Sequence, residues 1–128
     1  MLTDCDLVAF LPSADLDRAR RFYFEVVGLP IVEDSPVACV FDCNGTLLRV
    51  TAVEEVRAVP YTVLGWQVTD LGESVRGLAA RGVLLERFEG IDQDELGRWT
   101  TPGGDLVAWF KDLDGNVLSL TQFERARH

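Results

Sequence analysis

The sequence predicts an α+β protein made of two tandem βαβββ modules, and three observations carry that prediction. A strand-like apolar run passing into an Asp-Leu helix entry occurs twice, in residues 11–19 and again in residues 67–75. Each helical stretch then ends at a glycine followed by a β-favouring residue, Gly28-Leu29 and Gly82-Val83. The later halves echo as well: residues 41–50 and 110–120 are both apolar runs broken by an Asn-Gly or Asp-Gly turn. The helix-entry residues Asp15 and Asp70 lie too far apart for a solenoid repeat, so a duplicated module is implied.

The elements follow in order. Residues 5–11 are apolar and read as a strand; Pro12-Ser13-Ala14 leaves it, and Ser13 or Asp15 can cap the helix that follows. Leu16, Ala19, Phe22, Tyr23 and Val26 recur at helical spacing over residues 15–27, with Gly28 as the stop. Residues 29–33 form a short strand, and residues 37–41 and 46–51 flank Asp42-Cys43-Asn44-Gly45, a hairpin signal. A polar stretch at 54–60 links module one (residues 1–53) to module two (residues 61–128) within a single domain. There, residues 62–68 read as a strand and residues 70–81 as a helix with Leu71, Val75, Leu78 and Ala79 on one face. Strands are expected at 83–88, 106–110 and 116–122, with a polar loop at 90–98 and a hairpin at 99–105 leading into the Leu106 strand.

Composition narrows the function. With 128 residues, 48% of them apolar, the chain can bury a core. A net charge of −9 argues against nucleic acid or an anionic membrane surface as partner, since both call for basic patches. No apolar run reaches the roughly 18 residues of a membrane helix. The N-terminus, with Asp4 and Asp6, lacks the basic region of a signal peptide. Cys5, Cys39 and Cys43 cannot all pair, and the spacing of the last two on one strand is poor for a bridge, so free thiols and a cytoplasmic location are expected. The only histidine is His128, a poor start for a zinc site.

The order of elements, with Asp15-Leu16-Asp17-Arg18-Ala19-Arg20-Arg21-Phe22-Tyr23, Val27-Gly28-Leu29 and Asp112-Leu113-Asp114-Gly115-Asn116-Val117-Leu118-Ser119-Leu120, resembles the vicinal oxygen chelate superfamily of glyoxalases, bleomycin-resistance proteins and extradiol dioxygenases. The resemblance implies a curved mixed β-sheet cleft with helices on its outer face, commonly in a homodimer. Members that use a metal hold it with His from the first strand of a module and Glu from the last. Here the His positions fall on Val8 and Val63 and the Glu positions on Arg49 and Ser119. Two hydrocarbons, a guanidinium and a neutral hydroxyl do not make a divalent-ion site. Shifting the register by one residue brings in Leu7, Ala9, Leu48, Val50, Thr62, Leu64, Leu118 or Leu120, no better. No metal and no cofactor are therefore expected.

If Val8 and Ser119 face the cleft, alternation adds Phe10, Leu47, Arg49, Thr51, Val63, Gly65, Gln67, Val117 and Thr121. Ala9, Leu11, Leu48, Val50, Leu64, Trp66, Val68, Leu118 and Leu120 face the helices and are more uniformly apolar. The candidate ligand-binding set is Val8, Phe10, Leu47, Arg49, Val63, Gln67, Trp99, Val117 and Ser119, a mixed surface suited to a small molecule. Arg49 can anchor a carboxylate, phosphate or enolate, or else pair with an acidic neighbour such as Glu33. Trp66 reads as core; Trp99 can line the cleft mouth or pack; the facing of Trp109 and Glu86 is open. Tyr23 and Tyr61 read as packing groups, and Glu33, Glu86, Glu89 and Asp105 as solvated surface.

The reading that follows is a metal-free protein that binds or sequesters a small organic molecule. The alternative is an enzyme of the same fold, a lyase, isomerase or dioxygenase-like protein, using side-chain acid–base chemistry or an undetected metal. A third is a dimeric scaffold without a ligand.

Overall fold

In the computed structural model, which describes residues 1–125, each module's last strand lies at the centre of its sheet and pairs in parallel with the module's first. The chain divides into two compact units, residues 1–58 and a second that begins at Val59. Each contains a four-stranded mixed sheet and one helical segment, the α+β arrangement expected.

In the first unit, strands β1 (Val8–Ser13), β2 (Ile31–Asp34), β3 (Ala38–Cys43) and β4 (Thr46–Ala52) form a sheet in the order β1-β4-β3-β2. The β1–β4 pair is parallel and the others antiparallel. Asn44 and Gly45, both at positive φ (52° and 95°), close the β3–β4 hairpin, a conformation that Asn-Gly adopts at little cost. Asp42 secures the turn by accepting the Gly45 N–H at 2.8 Å. Helix α1 (Leu16–Arg21) is capped by Asp15, which accepts the Arg18 N–H at 3.2 Å. Ser13, fully buried, instead ties the chain just before the helix through Asp15.

The helix expected over residues 15–27 widens after Arg21. Phe22–Val26 is a π-type turn in which the Val27 N–H reaches back to the Phe22 carbonyl at 3.1 Å. The slower rotation of that turn lets consecutive Phe22 and Tyr23 both bury, with Tyr23 against Phe22 (ring centroids 5.2 Å) and Phe41 (5.8 Å). Leu11, Phe41, Leu48 and Val50 complete the core beneath them.

In the second unit, β5 (Thr62–Gln67), β6 (Trp99–Thr100), β7 (Leu106–Lys111) and β8 (Val117–Gln122) form a sheet in the order β5-β8-β7-β6. Helix α2 (Leu71–Ala80) is capped by Asp70, which accepts the Glu73 N–H at 3.0 Å. Its Leu71, Val75 and Leu78 are buried, whereas Ala79, expected on the same face, is exposed. Buried Asp112 organises the β7–β8 turn by accepting the N–H groups of Asp114 and Asn116 and the Asn116 side-chain amide.

The strand expected at 83–88 does not form. Its backbone makes one ladder bond, from the Glu86 N–H to the Trp109 carbonyl at 2.7 Å. A side chain does the rest. The Gln93 carboxamide accepts the Phe88 N–H (2.8 Å) and donates to the carbonyls of Glu86 (3.0 Å) and Gly97 (2.7 Å). The place beside β7 goes to the two-residue β6, which enters it through the hairpin expected over residues 99–105.

Candidate functional site

Each sheet has one face against its helix and one open face, and alternation sorts the candidate residues between them. On the first sheet Leu11, Leu48 and Val50 are buried, while Val8, Phe10 and Leu47 expose large apolar surfaces on the other side. Val8 is in register with Leu47, and Phe10 with Arg49. Across β3 and β2 the row continues through Val40 to Glu33. Arg49 and Glu33 pair loosely, with Nη1 to Oε2 at 3.9 Å.

On the second sheet, Leu118 and Leu120 are buried, and Trp66 stacks over Phe110 on the same side (6.4 Å). The open face holds Gly65 beside Ser119 and Gln67 beside Thr121. Val63 is 42% exposed at a bulge: the register of β5 slips between Thr62 and Leu64, so Thr62 is the partner of Val117. The slip turns the Thr62 hydroxyl onto the open face, where it accepts the Trp109 indole N–H at 3.1 Å. Val117 departs from expectation. It is on this face by register but only 3% exposed, so it is floor and not an accessible contact.

Trp109 pairs with Ser119 and therefore belongs to the open face. It stacks on Trp99 (6.1 Å, 28°) and meets Phe88 edge-on (5.4 Å, 87°). Sequence reasoning included Trp99 and left out Trp109, Phe88 and Thr62. Lys111 could have supplied the phase: two residues beyond Trp109, its charge cannot sit on the helix-covered side. Nothing in the sequence announced the bulge.

The carboxylates are committed or solvated. Glu86 meets Lys111 at 3.5 Å, Asp105 accepts the Glu124 N–H at 2.9 Å, and Glu89 is exposed. Tyr61, expected to pack, is 64% exposed. Burial alone would raise the Asp94 carboxyl, but the N–H groups of Arg98 and Leu96 and the Arg98 guanidinium hold it below its ordinary range. Burial pushes the Cys39 thiol up, with the Asp34 carboxylate adding to the effect. None of the three cysteines forms a disulfide.

Val8, Arg49, Val63 and Ser119 offer no set of imidazole, carboxylate or thiolate donors, so the residues at these positions do not fit a divalent ion. Among the described residues, no three His, Cys, Asp or Glu side chains are grouped so as to hold a metal. Nor is any described helix long and apolar enough to cross a membrane.

Known proteins share this architecture. A structure of a superfamily member from Sphaerobacter thermophilus superposes with a TM-score of 0.74 at 20% identity, over 96% of this chain and 100% of that one. Lactoylglutathione lyase from Agrobacterium tumefaciens gives 0.73 at 20% identity, over 93% of each chain. TnmS3, an antibiotic binding protein from Streptomyces sp. CB03234, gives 0.67 at 24% identity, over 95% of this chain and 98% of that one. At these identities the likeness concerns the fold. No curated protein matches in sequence. The family model of the glyoxalase/bleomycin resistance protein/dioxygenase superfamily matches residues 6–120, and the chain belongs to that superfamily.

Proposed function

We propose that this protein binds a small organic molecule on its open sheet faces, without a metal. One observation carries the reading: where the superfamily's metal ligands would stand, the chain has Val8, Arg49, Val63 and Ser119, on faces that leave Val8, Phe10, Leu47 and Val63 exposed. Apolar walls with a few polar groups bind organic ligands. The antibiotic-binding neighbour supports the same reading. On the first sheet the contacts are Val8, Phe10, Leu47 and Arg49; on the second they are Val63, Gln67, Trp99 and Ser119, with Val117 as floor. The working form is a homodimer in a reducing compartment, in keeping with three cysteines outside any disulfide.

The test is a thermal-shift screen of aromatic natural products, with and without EDTA, followed by chromatography of each hit. A binder raises Tm equally in both conditions and is recovered unchanged. A hit that is consumed supports the enzyme alternative, and a Tm rise abolished by EDTA overturns the metal-free reading.

A further inference from the structure

Arg49 has hydrogen-bonding capacity that the fold leaves unused. Its side chain is 39% exposed, and its one ion pair among the described residues, to Glu33 at 3.9 Å, is beyond hydrogen-bond reach. Glu33 is itself 67% exposed, so the pair contributes little and opens easily to water. Some other arginines are engaged, while Arg18, Arg21, Arg57 and Arg76 are exposed. Arg20 donates to Asp17 at 2.6 Å and to Asp34 at 2.8 and 3.0 Å, Arg87 to two carbonyls, and Arg98 to Asp94.

Apart from Glu33 and Thr51, the neighbours of Arg49 on this face are apolar. Phe10, its register partner on β1, is 64% exposed; Val40, its partner on β3, is buried; Val8 and Leu47 extend the same face. A planar fork of donors thus stands among hydrocarbon on an accessible sheet face. The chemistry that fits it is one planar oxyanion accepting two parallel N–H bonds. The group carrying that oxyanion must be apolar to cover Phe10 and Leu47. A single negative charge suits better than two, because Glu33 is close and the whole chain carries −9.

We propose that Arg49 is an anion-recognition residue and that the ligand is a monocarboxylic acid with an aromatic or branched apolar body. This rests on the small-molecule reading above and narrows it. Glu33 is then an internal competitor that swings into water as the carboxylate arrives.

The experiment titrates the 15N-labelled chain with 1-naphthoate and with its neutral isostere 1-naphthamide, following backbone amides and the Arg49 Nε–H. Naphthoate is expected to shift the Arg49 Nε–H and the amides of Phe10 and Leu47, and to bind at least ten-fold more tightly than naphthamide. R49Q should erase that preference, R49K should keep a fraction of it, and E33Q should strengthen naphthoate binding several-fold. Equal binding of the two probes at these residues, or a preference that survives R49Q, overturns the carboxylate assignment and leaves the small-molecule reading standing. Binding of neither probe on either open face overturns both. Shifts at Phe10 and Arg49 that follow protein concentration instead of probe place a second copy of the chain there and overturn the assignment.

Discussion

Gly65 of β5 lies so close to Ser119 of β8 that a Cβ built on the glycine would stand 2.5 Å from the serine hydroxyl and 3.3 Å from the Ser119 carbonyl oxygen. The absence of a side chain at residue 65 therefore allows Ser119 to sit where it does on the open face. Gly65→Ala should destabilise the fold by about 1–2 kcal/mol, the ordinary cost of overpacking. Ser119→Ala removes the nearer of the two obstacles, so Gly65→Ala should cost less in that background. A double-mutant cycle by urea denaturation measures the coupling, and strict additivity would refute the contact.

Gln93 stands in for a missing strand neighbour. Gln93→Ala leaves the Phe88 N–H and the carbonyls of Glu86 and Gly97 without their partner, which should cost roughly 1–3 kcal/mol. Amide exchange should quicken at Phe88 while the β7–β8 ladder stays protected. Asp94 adds a pH dependence to the same loop. Its carboxyl is held below the unfolded value of about 3.9, so its contribution is complete above that pH and fades as pH falls through the lower folded value. Asp94→Asn should flatten the acid limb of the stability curve.

The two tryptophan environments predict opposite losses. Trp66 stacks on Phe110 on the helix side, and Trp66→Ala should lower stability by about 2–3 kcal/mol. Trp99 belongs to the open face with Trp109, and Trp99→Ala should weaken binding of any compound found in the thermal-shift screen at least ten-fold with a smaller loss of stability. Denaturation midpoints beside calorimetric titrations of both variants separate the two effects.

Thiol chemistry should follow burial. Cys5 is exposed and should react first with an aromatic disulfide reagent, Cys43 more slowly, and Cys39, fully buried, only on unfolding. Because folding raises the Cys39 pKa, the folded state retains a proton that the unfolded chain releases above about 8.5. Its contribution to stability is whole below that pH and is lost as pH rises towards the folded value. Cys39→Ala should lessen the alkaline loss, as read from denaturation at pH 7 and pH 10.

Added nickel, zinc or iron(II) should give no one-equivalent binding isotherm, and EDTA should leave Tm unchanged. An isotherm with an N/O coordination signature in X-ray absorption would show that donors other than Val8, Arg49, Val63 and Ser119 assemble a centre.

What the sequence revealed depended on how local the deciding forces are. Asp15 and Asp70 cap their helices, and Asn44-Gly45 closes its hairpin, because each works through neighbours in the chain. The open faces were legible because alternation is rigid over a strand: once the resemblance sets the phase at Val8 and Arg49, Phe10 and Leu47 follow on the same side. The features that went unread depend on distant partners. The bulge at Thr62 answers to β8, and Val117 is buried although its register puts it on the open face. The strand expected at 83–88 had suitable residues; Gln93 took over its hydrogen bonds, and no pattern within residues 83–88 could signal that.

That substitution has an evolutionary and practical corollary. A β-strand must keep its residue count, because an insertion slips every side chain after it to the wrong surface. A segment fastened by one amide head keeps no such register. Residues between Phe88 and Gln93 can be lengthened or rewritten while the three fastening bonds persist, whereas Asp94 has to stay for its bonds to Leu96 and Arg98. Phe88 is carried at its edge, against Trp109. The segment is therefore a natural place to diversify recognition in a library without disturbing the scaffold.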